Sequence, residues 1–260
     1  MSQRYLLGFP LLIIGAVLTI TGACSFTTAH VAEAYMCLGV DDQSKPVQKT
    51  DTFPTYQWLI HCSASIANVP SSTVVKAVWS KVGEGENNDE KIVDTEISID
   101  NDSWIDFTFR TPIAGLPVGK YKVDLYIQDK LDRTLTFTTY EDIPDSYIAT
   151  AILATEVDEY NRPSQPVQFF TPETPLLHCA TQVVLPQDKT ININAQWYQV
   201  LDKKEYLISE YPVEMDHTGW IDFTLTPSEK GLPRGLYRIV LLVDGTPVKS
   251  GNFEVKDAQI

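Results

Sequence analysis

Positive charge is scarce in this chain. Lys and Arg number 20 against 34 Asp and Glu, a formal net charge of −14. A phosphate backbone is repelled by such a surface, so nucleic-acid binding is set aside as a function class. Metal-ligating side chains are also few, with 4 His, 3 Met and 4 Cys, too few for a copper or zinc store. No Gly-rich phosphate loop and no nucleophile elbow occurs, which leaves nucleotide-dependent and α/β-hydrolase chemistry without its usual motifs. No stretch after residue 35 has the 3.6-residue apolar period of an amphipathic helix, so a helical bundle is excluded. No cofactor and no metal is expected.

Two things are present instead: an apolar leader and a repeat. Tyr5 to Ile20, "YLLGFPLLIIGAVLTI", carries no charge and follows "MSQR", a basic start to an apolar run as in an export signal. Thr21-Gly22-Ala23-Cys24 resembles a bacterial lipobox, in which the cysteine is lipidated; Cys24 is then the lipidation site. Cleavage after Ala34, at an A-x-A site, and an uncleaved span over Tyr5 to Ala23 are the alternatives. All three place the rest of the chain outside the cytoplasm, in two cases held at a membrane. Residues 1–23 are thus read as signal peptide or anchor and 24–34 as a tether.

The repeat is set by aligning Ala34 with Ala151. Val40-Asp41 then falls on Val157-Asp158, Pro46 on Pro163, and "LIHC" ending at Cys62 on "LLHC" ending at Cys179. Further on, Trp79 matches Trp197, "WIDFT" from Trp104 matches "WIDFT" from Trp220, and Tyr121 matches Tyr237. Each copy is about 105 residues, the size of an independent domain. Boundaries follow at 35–140 and 150–257, with 141–149 as the linker.

Within a copy the apolar period is two. Ile60, Cys62, Ala64 and Ile66 alternate with polar neighbours, as do Ile105, Phe107 and Phe109, and Tyr121, Val123, Leu125 and Ile127. Such half-buried strands, about seven per copy, predict an all-β protein of two tandem sandwiches. The Cys of the second strand, the Trp of the third and the Tyr after a Leu-Pro-x-Gly corner resemble an immunoglobulin-like (Ig-like) domain. Val123 and Ile239 stand where antibody-type domains carry their second cysteine, so the resemblance leads instead to the Ig-like repeats of bacterial and archaeal envelope lipoproteins. It covers residues 35–256 and implies the fold, with a tyrosine corner at Tyr121 and Tyr237.

Candidate sites are sparse. His61-Cys62 and His178-Cys179 invite a nucleophile pair, but strand neighbours point to opposite faces. An exposed His beside a buried Cys is the expectation, with a Cys37–Cys62 bridge left open. Asp100, Asn101 and Asp102 read as a polar turn rather than a cation site. Trp104 and Trp220 point outward if Ile105 and Phe107 point in; they are either glycan-stacking residues or packing under a loop or at the domain junction. The outward face of the sixth strand reads Leu236, Arg238, Val240, Leu242 in the second copy but Lys120, Lys122, Asp124, Tyr126 in the first. With Tyr198 and Val200 beside it, this is an apolar patch, either a partner-binding site centred on Tyr198, Val240 and Leu242 or packing against the other domain. The functional expectation is a non-enzymatic, envelope-anchored binding or spacer protein with an envelope protein or polysaccharide as partner. The alternative is a carbohydrate-binding module.

Overall fold

A computed structural model describes residues 28–85 and 88–258. The leader, Cys24 and the first residues of the expected tether, through residue 27, lie outside the described residues, and among those described no helix is long and apolar enough to cross a membrane. The chain forms two β-sandwiches.

The first domain holds β1 (His30–Val40), β2 (Pro46–Lys49), β3 (Thr52–Pro54), β4 (Leu59–Ala67), β5 (Thr73–Lys81), β6 (Glu90–Ile99), β7 (Ser103–Arg110), β8 (Gly119–Ile127) and β9 (Lys130–Tyr140). The second holds β10 (Ile148–Ala154), β11 (Phe169–Phe170), β12 (Leu177–Val183), β13 (Ile191–Leu201), β14 (Lys204–Met215), β15 (Gly219–Leu225), β16 (Gly235–Val243) and β17 (Thr246–Val255). In the first, sheet β2-β1-β4-β7 faces β3-β9-β8-β5-β6; in the second, β10-β12-β15 faces β11-β17-β16-β13-β14. Pairing is antiparallel except β3 with β9 and β11 with β17, where the N-terminal segment crosses from one sheet to the other and runs parallel to the last strand. This is Ig-like topology, repeated.

The expected boundaries need correction. β1 starts at His30 and pairs with β4 from His30↔Ala67 through Ala34↔Ala64, so residues 30–34 belong to the sandwich rather than to a tether. β10 likewise starts at Ile148, inside the expected linker. The reason is a register shift between Val31 and Glu33, and another between Ile148 and Thr150. A bulge breaks the period-two pattern that a sequence reading follows.

Both cores are built around a Trp. Trp79 and Trp197 are sealed from solvent, Trp79 against Phe109 and Phe137, Trp197 against Phe253. The tyrosine corners form as expected: the Tyr121 hydroxyl donates to Pro117 O at 2.7 Å and that of Tyr237 to Pro233 O at 2.8 Å. Ahead of each corner sits a glycine at positive φ, Gly115 at 78° and Gly231 at 76°, whose Cα approaches the carbonyl of Thr55 or Pro172 so closely that a Cβ would collide with it. The same backbone crossing is thus made twice by the same residues.

Candidate functional site

Alternation along β4 and β12 puts Cys62 and Cys179 into the cores and His61 and His178 on the opposite faces. Burial pushes both thiols up, Cys179 to about 12. The histidines are not exposed, which corrects the expectation. His61 Nδ1 lies 2.8 Å from Asp106 Oδ2 and His178 Nδ1 lies 2.7 Å from Asp222 Oδ2, with the side chains only 14% and 12% exposed. They are covered because the hairpin after the first strand curls over this face. Ser63 Oγ donates to Ser44 O at 2.6 Å, and bridges between Ala154 and Pro166 and between Val157 and Pro163 close the matching hairpin in the second copy. Each dyad spans two adjacent strands, β4 and β7 or β12 and β15, and fastens them. No thiol shares the proton: the neighbouring Cys37 donates to the backbone carbonyl of His61. Cys37 and Cys62 face opposite sides of their sheet, so no bridge joins them. Among the described residues no group of three or more His, Cys, Asp or Glu is placed to hold a metal ion. Asp102 Oδ1 accepts from Val69 N–H at 2.8 Å, the work of a turn residue.

The two outward tryptophans have different fates. Trp220 is 8% exposed, with Trp58 of the first domain edge-on to it. It belongs to the domain junction and is removed as a glycan-stacking candidate. Trp104 is half-buried and stacks on Tyr35, centroids 6.5 Å apart, with Lys49 Nζ 3.3 Å from the centre of the Tyr35 ring.

The junction itself was not anticipated in detail. Asp158 Oδ1 accepts from Tyr160 N–H and Arg162 N–H, both at 2.9 Å, and its Oδ2 meets Arg162 Nε at 2.8 Å. Thus oriented, Arg162 Nη1 donates to Thr111 O of the first domain at 3.1 Å, while Gln182 Nε2 donates to Tyr56 O at 2.8 Å. The first copy repeats the turn with Asp41, which accepts from Gln43 and Lys45 N–H, but there it is exposed. The match of Asp41 with Asp158 was readable in the sequence; the Lys45-to-Arg162 change beside it was the one signal of a joint.

The outward faces of β8 and β16 differ most. In the first domain Lys122 Nζ lies 2.7 Å from Asp124 and 3.0 Å from Asp89, and Thr134 Oγ1 donates to Asp124 at 2.5 Å. That face is closed by its own ion pairs. In the second, β16 lies between β13 and β17, and its Val240 and Leu242 oppose Gln196 and Asn194. Tyr198, opposite Arg238 on one side and Leu207 on the other, is pinned by a 2.7 Å bond from its hydroxyl to Gln196 Oε1. Leu236 and Leu207 are 55% and 49% exposed. The polar groups between them are paired off, Arg238 with Glu205 at 2.6 Å and Gln196 with Glu210 at 3.3 Å. Domain contacts run through Trp58, Thr111 and Tyr56 to Trp220, Arg162 and Gln182, none of them on β13 or β16. The structure therefore brings Tyr198, Val240 and Leu242 together on one face that the first domain does not cover.

No family profile and no curated protein matches the sequence. Among solved structures, dimeric latent PorU from Porphyromonas gingivalis is similar at 12% identity over 90% of this chain and 21% of its own, with a TM-score of 0.30. CBD12 from CALX1.2 is similar at 9% identity over 73% and 75%, TM-score 0.28. A glycosyl hydrolase family 2 member from Bacteroides cellulosilyticus is similar at 12% identity over 88% and 28%, TM-score 0.31. The chain spans about a fifth of the length of PorU and over a quarter of that of the hydrolase. Superpositions this loose carry no argument about activity.

Proposed function

We propose that this protein is a non-enzymatic, extracytoplasmic binding protein, held at the cell envelope through its N-terminal segment and Cys24, that presents the outer sheet of its second domain to a protein partner. One observation carries the reading: Lys122, Asp124 and Asp89 pair across the face in the first copy, whereas in the second half-buried Tyr198, Val240 and Leu242 lie among exposed Leu207 and Leu236, with Arg238 paired to Glu205. Two domains descended from one unit needed the same core; they had no shared need for that outer face. Aromatic and aliphatic residues framed by paired polar groups are the make-up of protein-binding surfaces. The first domain then acts as a spacer between envelope and binding face.

The test is capture of envelope proteins by immobilised chain, with Leu242→Asp as the site variant and Lys122→Ala as the variant of the corresponding face. A protein retained by wild type and Lys122→Ala but lost with folded Leu242→Asp supports the reading. Equal retention by all three removes the second-domain face from consideration.

Carbohydrate binding survives in narrower form, through Trp104 alone. The half-open Trp104–Tyr35 stack, with the Lys49 ammonium against it, offers a planar apolar surface beside a hydrogen-bond donor.

A further inference from the structure

The last strand of each domain sends alternate side chains inward, and here the two copies differ. In the first, Arg133, Leu135 and Phe137 oppose Leu125, Val123 and Tyr121. In the second, Lys249, Gly251 and Phe253 oppose Leu241, Ile239 and Tyr237. Leu135 packs against the first core, and the gap between β1 and β9 is closed by Arg133 Nη2 donating to Val31 O at 3.0 Å and Val31 N–H donating to Asp132 at 3.0 Å. Gly251 has no side chain to do this. Between β10 and β17 there remains a cavity of about 340 Å3, its lining including Leu153, Val167, Cys179, Ile239 and Leu241 as well as Lys249.

Lys249 is the second observation. Its side chain is half-buried on the inward side of the strand, yet no carboxylate is within ion-pair distance among the described residues; Nζ has a 3.2 Å bond to Ala149 O. Burial pulls its pKa below the ordinary lysine value. A cation held at the mouth of an apolar space without a counter-charge is a site for an anion that brings its own apolar body. The volume holds roughly ten water-sized groups at about 30 Å3 each, within the range of small-ligand pockets.

We propose that the open side of the second sandwich binds a small amphipathic monocarboxylate, a medium-chain or aromatic acid, with its carboxylate on Lys249 Nζ and its apolar body in the space left by Gly251. This site is separate from the sheet face around Leu242 and stands or falls independently of it. The competing role for Lys249 is as an inward charge that prevents the exposed edge of β17 from pairing with another chain.

The experiment is titration calorimetry of the full chain with octanoate and with octanol, repeated for Gly251→Leu and Lys249→Met. Gly251→Leu restores the residue of the first copy, and an added Cβ meets nothing closer than Ile239 at 3.9 Å, so the fold tolerates it. Saturable one-to-one binding of octanoate, at least tenfold tighter than octanol, and weakened tenfold or more by each substitution is the expected result. Equal affinity for octanol, unchanged binding by Gly251→Leu, or no saturable binding with Lys249→Met becoming self-associating would each overturn the proposal; the last assigns Lys249 to edge protection.

Discussion

Trp58 and Trp220 meet edge to face across the domain junction, ring centroids 5.3 Å apart and planes at 70°. Trp220 comes from the "WIDFT" repeat, whereas the position matching Trp58 in the second copy is Pro175. The joint is therefore built from one residue that both copies share and one that only the first domain has.

The pair is expected to contribute about 0.5–1.5 kcal/mol beyond the area it buries. A double-mutant cycle with Trp58→Ala and Trp220→Ala, read by urea unfolding, should return a coupling of that size. Limited proteolysis in the linker should accelerate in Trp58→Ala. Additive effects with an unchanged cleavage rate would show that the two rings do not fasten the joint.

Acid should loosen the same joint. Burial pushes the Asp158 carboxyl up, but the Arg162 N–H and guanidinium and the Tyr160 N–H outweigh it and hold the pKa below the usual carboxylate range. A depressed folded pKa means that the carboxylate's contribution is fully present above its unfolded pKa of about 3.9 and is lost as pH falls through the folded value. Asp158→Asn should reproduce at pH 7 what acid does to the wild type, costing about 1–2 kcal/mol of junction stability as charge-assisted hydrogen bonds are lost. Tryptophan fluorescence reports it, since Thr111, which accepts from Arg162, donates its N–H to Trp58 O, and Asn161, next to Arg162, donates to Trp220 O; a spectrum of Asp158→Asn identical to wild type from pH 7 to 4 would contradict it.

The two tyrosine corners should not be equally sensitive. Pro117 O accepts from Tyr121 and also from Thr139 Oγ1 at 2.6 Å, whereas among the described residues Pro233 O accepts from the side chain of Tyr237 alone. Tyr237→Phe should therefore cost about 1–2 kcal/mol and Tyr121→Phe less than about 1. Calorimetric unfolding of the two variants checks the order, and a larger loss from Tyr121→Phe would reverse the argument.

Cys37, Cys62 and Cys179 are buried, free and raised in pKa, chiefly by desolvation. A maleimide applied to native protein at pH 7 should leave all three unmodified for hours, and all three should react in denaturant. Peptide mapping that finds Cys37 labelled in the native state would mean that the hairpin covering it opens.

The all-β class, the tandem organisation and the buried tryptophans were legible because each follows from spacing: period-two alternation fixes which residues face in, and duplication shows it twice; the tyrosine corners were implied by the resemblance to Ig-like domains. The outward set Tyr198, Val240 and Leu242 was legible for the same reason. Sequence misplaced what depends on contacts between distant segments. Trp220 points away from its own core as alternation requires, but Trp58, far away in the chain, covers it. His61 points away from the core too, and meets Asp106 only because β4 and β7 pair in one particular register.

By itself the sequence determined an all-β chain of two repeated units and the facing of its alternating strand residues, since backbone pleat sends successive side chains to opposite faces. Tertiary structure decided which outward faces stay open. The hairpins cover the dyads, the junction covers Trp220, and the face around Leu242 and the space beside Gly251 stay open, because coverage depends on where separate segments come to rest and alternation carries no record of that.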